Sequence, residues 1–216
     1  RVAEGKAGVL RIAYMAFAAL DIMPEAVARF RAIAPDVDIA LTYMRTQGQK
    51  LALSEGLVDV GYMIGQFDHG EFHSLTVASD PLAVVMPAGH PLATRARIEP
   101  RDLAGEPMVL GDMAEWEAYR WRLDEMFAAS GVKPAAAIEA SSTMALIGLV
   151  KAGLGVTIYP ARLSGILGPA LVVRPLADDR FAVTTVLVWK RNDRSESMRR
   201  FVAIARDIAR VPADPG

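Results

Sequence analysis

The stretch SSTMALIGLVKAGLGVTIYP, Ser141–Pro160, decides the fold. Its opening hydroxyl residues suit a helix start, and Met144 to Val150 supply an apolar helical run. Gly153 and Gly155 then break the pattern, and Val156 to Tyr159 reads as a strand. Two closely spaced glycines raise the question of a phosphate-binding loop. A dinucleotide loop runs from strand to helix and needs a third glycine, where Ile158 stands here. This stretch runs the other way, from helix to strand. Gly153 is therefore read as a left-handed helix cap, and Gly155 as a point where two backbones come close.

The same order of helix, glycine and strand occurs in LALSEGLVDVGYMIG, Leu51–Gly65. Upstream, Gly8 to Met15 is an apolar strand, and Pro24 suits the first turn of a helix. Leu20, Met23, Val27, Phe30 and Ile33 space one apolar helix face, which Pro35 ends. Val37, Ile39, Leu41 and Tyr43 alternate as in a strand, so the chain opens as a right-handed βαβ unit. A strand is expected at Leu82–Met86, followed by a turn over Pro87–Pro91. A helix follows, with Trp116, Tyr119, Leu123, Met126 and Phe127 on one side and Gly131 as its cap. Strands at 135–140, 171–176 and 181–191 and an amphipathic helix at 195–210 complete the pattern. Such alternation implies an α/β fold of two similar halves, with two strands crossing between them and a ligand cleft between the halves.

Composition narrows the function. The 216 residues are 52% hydrophobic, and 24 Lys and Arg balance 25 Asp and Glu to a net charge of −1. Balanced charge leaves no electrostatic footprint for nucleic acid. Without cysteine there are no disulfides, thiolate metal sites or cysteine nucleophiles. No apolar run of membrane-spanning length occurs, and RVAEGKAG at the start lacks a signal-peptide core. A cytoplasmic location is expected, with a signal removed ahead of this numbering as the alternative. Ser130 and Lys133 match a Ser-x-x-Lys pair, but that serine closes a helix where a nucleophile must open one. His69 and His73 fall in loop-like and strand-like sequence, His90 in a GHPL turn, and Arg199 with Arg200 on a charged helix face. No catalytic residue, metal or cofactor is expected.

With this pattern assembled, the chain resembles the effector-binding domain of LysR-type transcriptional regulators over about Gly8 to Arg210. The segments that carry the likeness are GVLRIAYM with MPEAVARFRAIAPDVDIAL, then LSEGLVDVGYMIG, LAVVMPAGHPLA and LVKAGLGVTIYPA. The resemblance implies two Rossmann-like subdomains joined by two crossover strands, a type 2 periplasmic-binding-protein-like α/β fold. On that reading residues 1–7 are a linker remnant. Residues 8–84 with 187–210 form one subdomain, 85–186 the other, and 211–216 a tail. The family's winged helix-turn-helix is not seen ahead of Gly8, so the chain reads as a regulatory fragment that meets DNA only through that other domain.

The resemblance further implies a small-molecule effector held in the cleft by strand ends and helix starts. In the first half these are Ala16, Phe17, Thr46, Ile64 and Gly65; in the second, Gly111, Asp112, Met113, Ser142, Thr143, Tyr159 and Pro160. Phe17 stands where the family often has a hydroxyl that grips an effector carboxylate. Near Ile64 some aromatic-acid sensors carry an arginine that this chain lacks. The apolar set favours an aromatic or largely apolar effector. The family pairs as an antiparallel homodimer, and as a tetramer at full length. Ala26, Val27, Phe30 and Ile33 would meet Leu146, Leu149 and Val150 of the second copy, no membrane being involved. Two rival readings remain: a free periplasmic solute-binding protein of the same architecture, or an α/β enzyme.

Overall fold

The opening segment forms β1 (Gly8–Tyr14), α1 (Ile22–Ile33) and β2 (Val37–Tyr43). The two strands pair in parallel from Gly8–Val37 to Tyr14–Tyr43. The computed structural model describes residues 8–211. The expected linker at 1–7 and the tail beyond Val211 lie outside the described residues. Asp21 caps α1 by accepting the Ile22 N–H at 2.7 Å. The buried stripe of α1 is Ile22, Met23, Ala26 and Phe30, whereas Leu20 and Ile33 are exposed and Val27 is half-buried. The expected face is therefore rotated, because residues four apart share a face and Ala26 lies between Ile22 and Phe30.

After α2 (Thr46–Ser54), β3 (Val60–Ile64) pairs in parallel with the other side of β1. β9 (Ala182–Lys190) runs antiparallel to β3 and is followed by α5 (Glu196–Asp207). With the first part of β4 (Phe72–Pro87), the strand order in this unit is β2-β1-β3-β9-β4. One face of the sheet packs on α1 and α5, where Phe30 and Phe201 meet edge to face at 5.7 Å. The other face packs on Ala52 and Leu53 of α2 with Val58, Met63 and Val188. A sheet covered on both faces explains why β3 is an unbroken apolar run.

The second unit holds β5 (Pro107–Gly111), α3 (Glu117–Ser130), β6 (Ala135–Ala140), α4 (Thr143–Lys151), β7 (Thr157–Pro160) and β8 (Leu171–Pro175). β5 and β6 pair in parallel, and the second part of β4 takes β7 and β8 as antiparallel partners. Gly131 ends α3 at φ +70°, and Phe127 packs on Phe181 at 5.1 Å.

The two compact units divide at Ser79–Asp80 and Val183–Thr184, inside β4 and β9. The borders expected at 84–85 and 186–187 fall further along each strand. β4 is one continuous strand and shows no break in sequence; the border lies where its partners change. Just past the first border sits Asp80, 3% exposed, its two oxygens accepting from Nε and Nη2 of Arg162 at 2.8 and 3.0 Å. Pro81 is tolerated in the next position because the following N–H, that of Leu82, makes the bond to Phe181 O.

Gly153 closes α4 at φ +79°, as its cap requires. At Gly155 a Cβ would lie 2.5 Å from Pro107 O, so only glycine lets Val156 reach β5. There Val156 N donates to Pro107 O and Val109 N to Val156 O, both at 2.9 Å. Gly148, on the exposed side of α4, would meet nothing within 4 Å. Gly155→Ala is expected to cost about 1–3 kcal/mol through that overlap. Gly148→Ala is expected to stabilise by about 0.5–1 kcal/mol through helix propensity. Urea unfolding of the two variants checks the opposite signs.

Candidate functional site

In the first unit the parallel strands β1, β2 and β3 end on one edge, the edge where α/β sheets bind ligands. Two side chains fix that edge. Gln49, fully buried on α2, donates from Nε2 to Met44 O and to Tyr62 O, each at 2.8 Å. Gly61 makes this possible, since a Cβ there would lie 2.5 Å from Gln49 Oε1. Thr46, the first residue of α2, is 5% exposed, and its Oγ1 accepts the Ile64 N–H at 3.2 Å. A hydroxyl also carries a donor and a second lone pair, so this contact leaves Thr46 further bonding capacity. Gly65 turns the chain at φ +90° and donates its N–H to Thr184 O at 2.8 Å. Ala16 is half-buried on the short turn after β1, and Phe17 is fully buried with its N–H on Met15 Sδ at 3.0 Å.

In the second unit, β5 ends at Gly111, where the Trp116 ring stands 2.3 Å from the position of a Cβ. Arg120, 8% exposed, donates to Gly111 O and pairs with Glu139 at 2.8 Å. Trp116 Nε1 donates to Ser141 O at 2.9 Å, which fixes the approach to α4. Ser142 caps α4 through the Ala145 N–H at 3.3 Å. The Thr143 and Tyr159 hydroxyls meet at 2.8 Å. Behind them Tyr119 donates to Ile158 O at 2.9 Å. Burial, and then the nearby Tyr159, push the Tyr119 hydroxyl well above its ordinary range, so it stays a donor at neutral pH. Asp112 is half-buried with Oδ1 on the Glu115 N–H at 2.8 Å, and Met113 is 40% exposed.

Sequence and structure differ over several of these residues. The Phe17 side chain, Gly111, Tyr159 and Pro160 are buried. Phe17 and Tyr159 fill the interior with their rings, as aromatic residues beside apolar strands do. Of the expected dimer residues, Ala26, Phe30, Leu146 and Val150 are at most 3% exposed and belong to this chain's own core. Ile33 is 52% exposed, and Val27 and Leu149 are half-buried. His90 is a bonded turn residue, its Nδ1 accepting the Leu92 N–H and its Nε2 facing Glu106, each at 3.2 Å. Gln49, Arg120 and Asp80 escaped the sequence reading. Each had a signal: a polar or charged residue on an apolar stripe, Gln49 with Ala52 and Leu53, Arg120 with Trp116 and Leu123, Asp80 within the apolar run of β4.

In each unit the candidate groups are hydroxyls and main-chain amides, with the Asp112 carboxylate and the Met113 side chain in the second, and such polar groups can hydrogen-bond a small ligand. Among the described residues no group of three or more His, Asp or Glu could hold a metal ion. Among them also no helix is long and apolar enough to cross a membrane.

Comparison with known proteins adds to this geometry. The LysR substrate binding domain matches residues 3–210. The transcriptional regulator AlsR of Bacillus subtilis is 25% identical over 95% of this chain and 68% of its own length. The Hca operon transcriptional activator HcaR of Escherichia coli is 28% identical over 94% of this chain and 69% of its own. Among solved structures, the BenM effector-binding domain with its effector benzoate superposes with a TM-score of 0.85 at 22% identity, covering 94% of this chain and 92% of that one. The effector-binding domain of QuiR in complex with shikimate gives 0.82 at 19% identity, covering 94% and 97%. These likenesses show a shared α/β fold.

Thr143→Val and Tyr159→Phe are each expected to lower stability by about 1 kcal/mol, the size of one hydrogen bond. The double variant should lose less than the sum, because both remove the same contact. Urea unfolding of the three variants measures the coupling; strictly additive losses would show that the two hydroxyls act separately.

Proposed function

Because the chain belongs to the LysR substrate binding domain family over residues 3–210, we propose that it is the effector-sensing domain of a LysR-type transcriptional regulator. Its role is to bind a small organic effector in the cytoplasm, and not to turn a substrate over. The observation that carries this reading is the pair of hydroxyls at helix starts, Thr46 on α2 and Thr143 on α4, each held in place by a bond to a neighbouring strand. Groups fixed in this way lose little freedom when they take up a ligand.

The effector contacts are Thr46 with the main chain at Ala16, Ile64 and Gly65 in one unit, and Asp112, Met113, Ser142 and Thr143 in the other. An aromatic or otherwise largely apolar compound is the ligand class we propose, oriented by these polar groups and bordered by Met113. The relatives whose structures carry benzoate and shikimate support a small organic ligand. Signalling follows from differential affinity: a ligand that binds one conformation better shifts the population toward it. The chain pairs as a homodimer through the outward sides of α1 and α4, where Ile33 is 52% and Met144 is 85% exposed. Val27 and Leu149 flank these residues.

A thermal-shift screen of aromatic acids, phenols and amino acids should find a stabilising compound. Thr46→Ala and Thr143→Val should each weaken it by roughly tenfold, the equivalent of about 1.4 kcal/mol. Unchanged affinity in both variants would refute the assignment. Ile33→Glu and Leu149→Glu should shift the chain toward monomer in sedimentation while its circular dichroism stays native. Ala26→Glu should instead lose structure, because it buries an unpaired charge at a cost of several kcal/mol.

A further inference from the structure

Outside the residues assigned to the effector, the first unit carries a cavity of about 570 Å³ between α5 and the ends of β4 and β9. Two rings line it: His73 of β4 and Trp189 of β9, 5.5 Å apart and inclined at 39°. Four guanidinium groups surround them, from Arg191 and Arg194 after β9 and from Arg199 and Arg206 on α5. All four residues are exposed.

What sets these arginines apart is that four of them line one space. Many other arginines lie against carboxylates, among them Arg11 on Asp59, Arg29 on Glu25, Arg162 on Asp80, Arg180 on Asp178 and Arg210 on Asp21, and Arg97 and Arg174 donate to main-chain carbonyls. Among the described residues none of the four cavity arginines is in an ion pair. Asp193 is the carboxylate lining the cavity, and its Oδ1 accepts the Ser195 N–H at 2.9 Å, which shapes the turn into α5. Four like charges around one space repel each other, more weakly as salt screens them, and an anion between them relieves that repulsion. On a chain whose net charge is −1, this concentration is local.

We propose that this cavity binds a planar ring bearing phosphoryl groups, the chemistry of a nucleotide. Guanidinium forks match phosphoryl oxygens in pairs, and four of them opposite one carboxylate favour a ligand with more than one negative charge. A simple monocarboxylate would leave the surplus largely uncompensated. Trp189 and His73 offer a stacking surface for the ring. The volume falls within the range of small-molecule sites.

The test uses the whole chain at 0.15 M salt, with ADP, adenosine and inorganic pyrophosphate as probes in calorimetry and Trp fluorescence. ADP should bind at least tenfold more tightly than adenosine or pyrophosphate alone, and should quench a signal that Trp189→Phe removes. The exposed pair Arg199→Gln with Arg206→Gln should keep its circular dichroism and weaken ADP at least tenfold. Thr46→Ala and Thr143→Val should leave ADP binding as it is, so this site and the effector site fail or stand separately. Absent ADP binding, equal binding of adenosine and ADP, or undiminished binding in the double arginine variant would overturn the proposal. Retention of duplex DNA without any binding of ADP would overturn it as well.

Discussion

A carboxylate buried in the middle of a strand is the constraint on which the second unit depends. Asp80 is enclosed, and Arg162 meets it with two parallel hydrogen bonds from the turn after β7. Leaving either charge alone would cost about 3–5 kcal/mol, so removing one partner would destabilise this unit. The pair fixes where β4 enters the unit and ties it to the segment after β7. From that point β4 can hold β7 over Leu82–Val85 and β8 over Ala83–Pro87. A hydrophobic pair of the same size would pack but would not fix the register, because apolar contact has no direction.

The same device recurs at smaller scale wherever the sheets end. Gln49 joins the ends of β2 and β3, Arg120 joins Gly111 to Glu139, and the Trp116 and Tyr119 donors satisfy Ser141 O and Ile158 O. Buried carbonyls need partners, and here the partners come from side chains on helices packed beneath the loops. The helix starts that carry Thr46, Ser142 and Thr143 are thereby held in place by the fold. Segments ordered in advance lose little further freedom when they meet a ligand.

The order of the elements was legible in the sequence, whereas the bonds of Asp80, Gln49 and Arg120 were not. The element order followed from periodicity and from the breaks at Pro35, Gly131 and Gly153. The direction of the Ser141–Pro160 stretch, helix before strand, was enough to set aside a dinucleotide loop. The geometry of Gly155 against Pro107 agrees with that reading. Family membership was legible for a related reason: glycines and prolines that a backbone shape demands stay recognisable when the side chains around them change.

The sequence by itself determined the order of helices and strands, because that order rests on local spacing and on the backbone limits of glycine and proline; it placed a strand at Leu82–Met86, where β4 runs from Phe72 to Pro87. Only the tertiary structure decided which of two adjacent apolar stripes on α1 turns inward. Ile22, Ala26 and Phe30 face α5 and the sheet, while Ile33 faces out, although all four are apolar. Phe30 fits against Phe201, and the small Ala26 lets the helix approach. It likewise decided that Phe17 and Tyr159 fill the interior, and that Arg191, Arg194, Arg199 and Arg206 gather around one cavity. Shape complementarity between segments far apart in the chain makes these choices, and no local pattern carries that information.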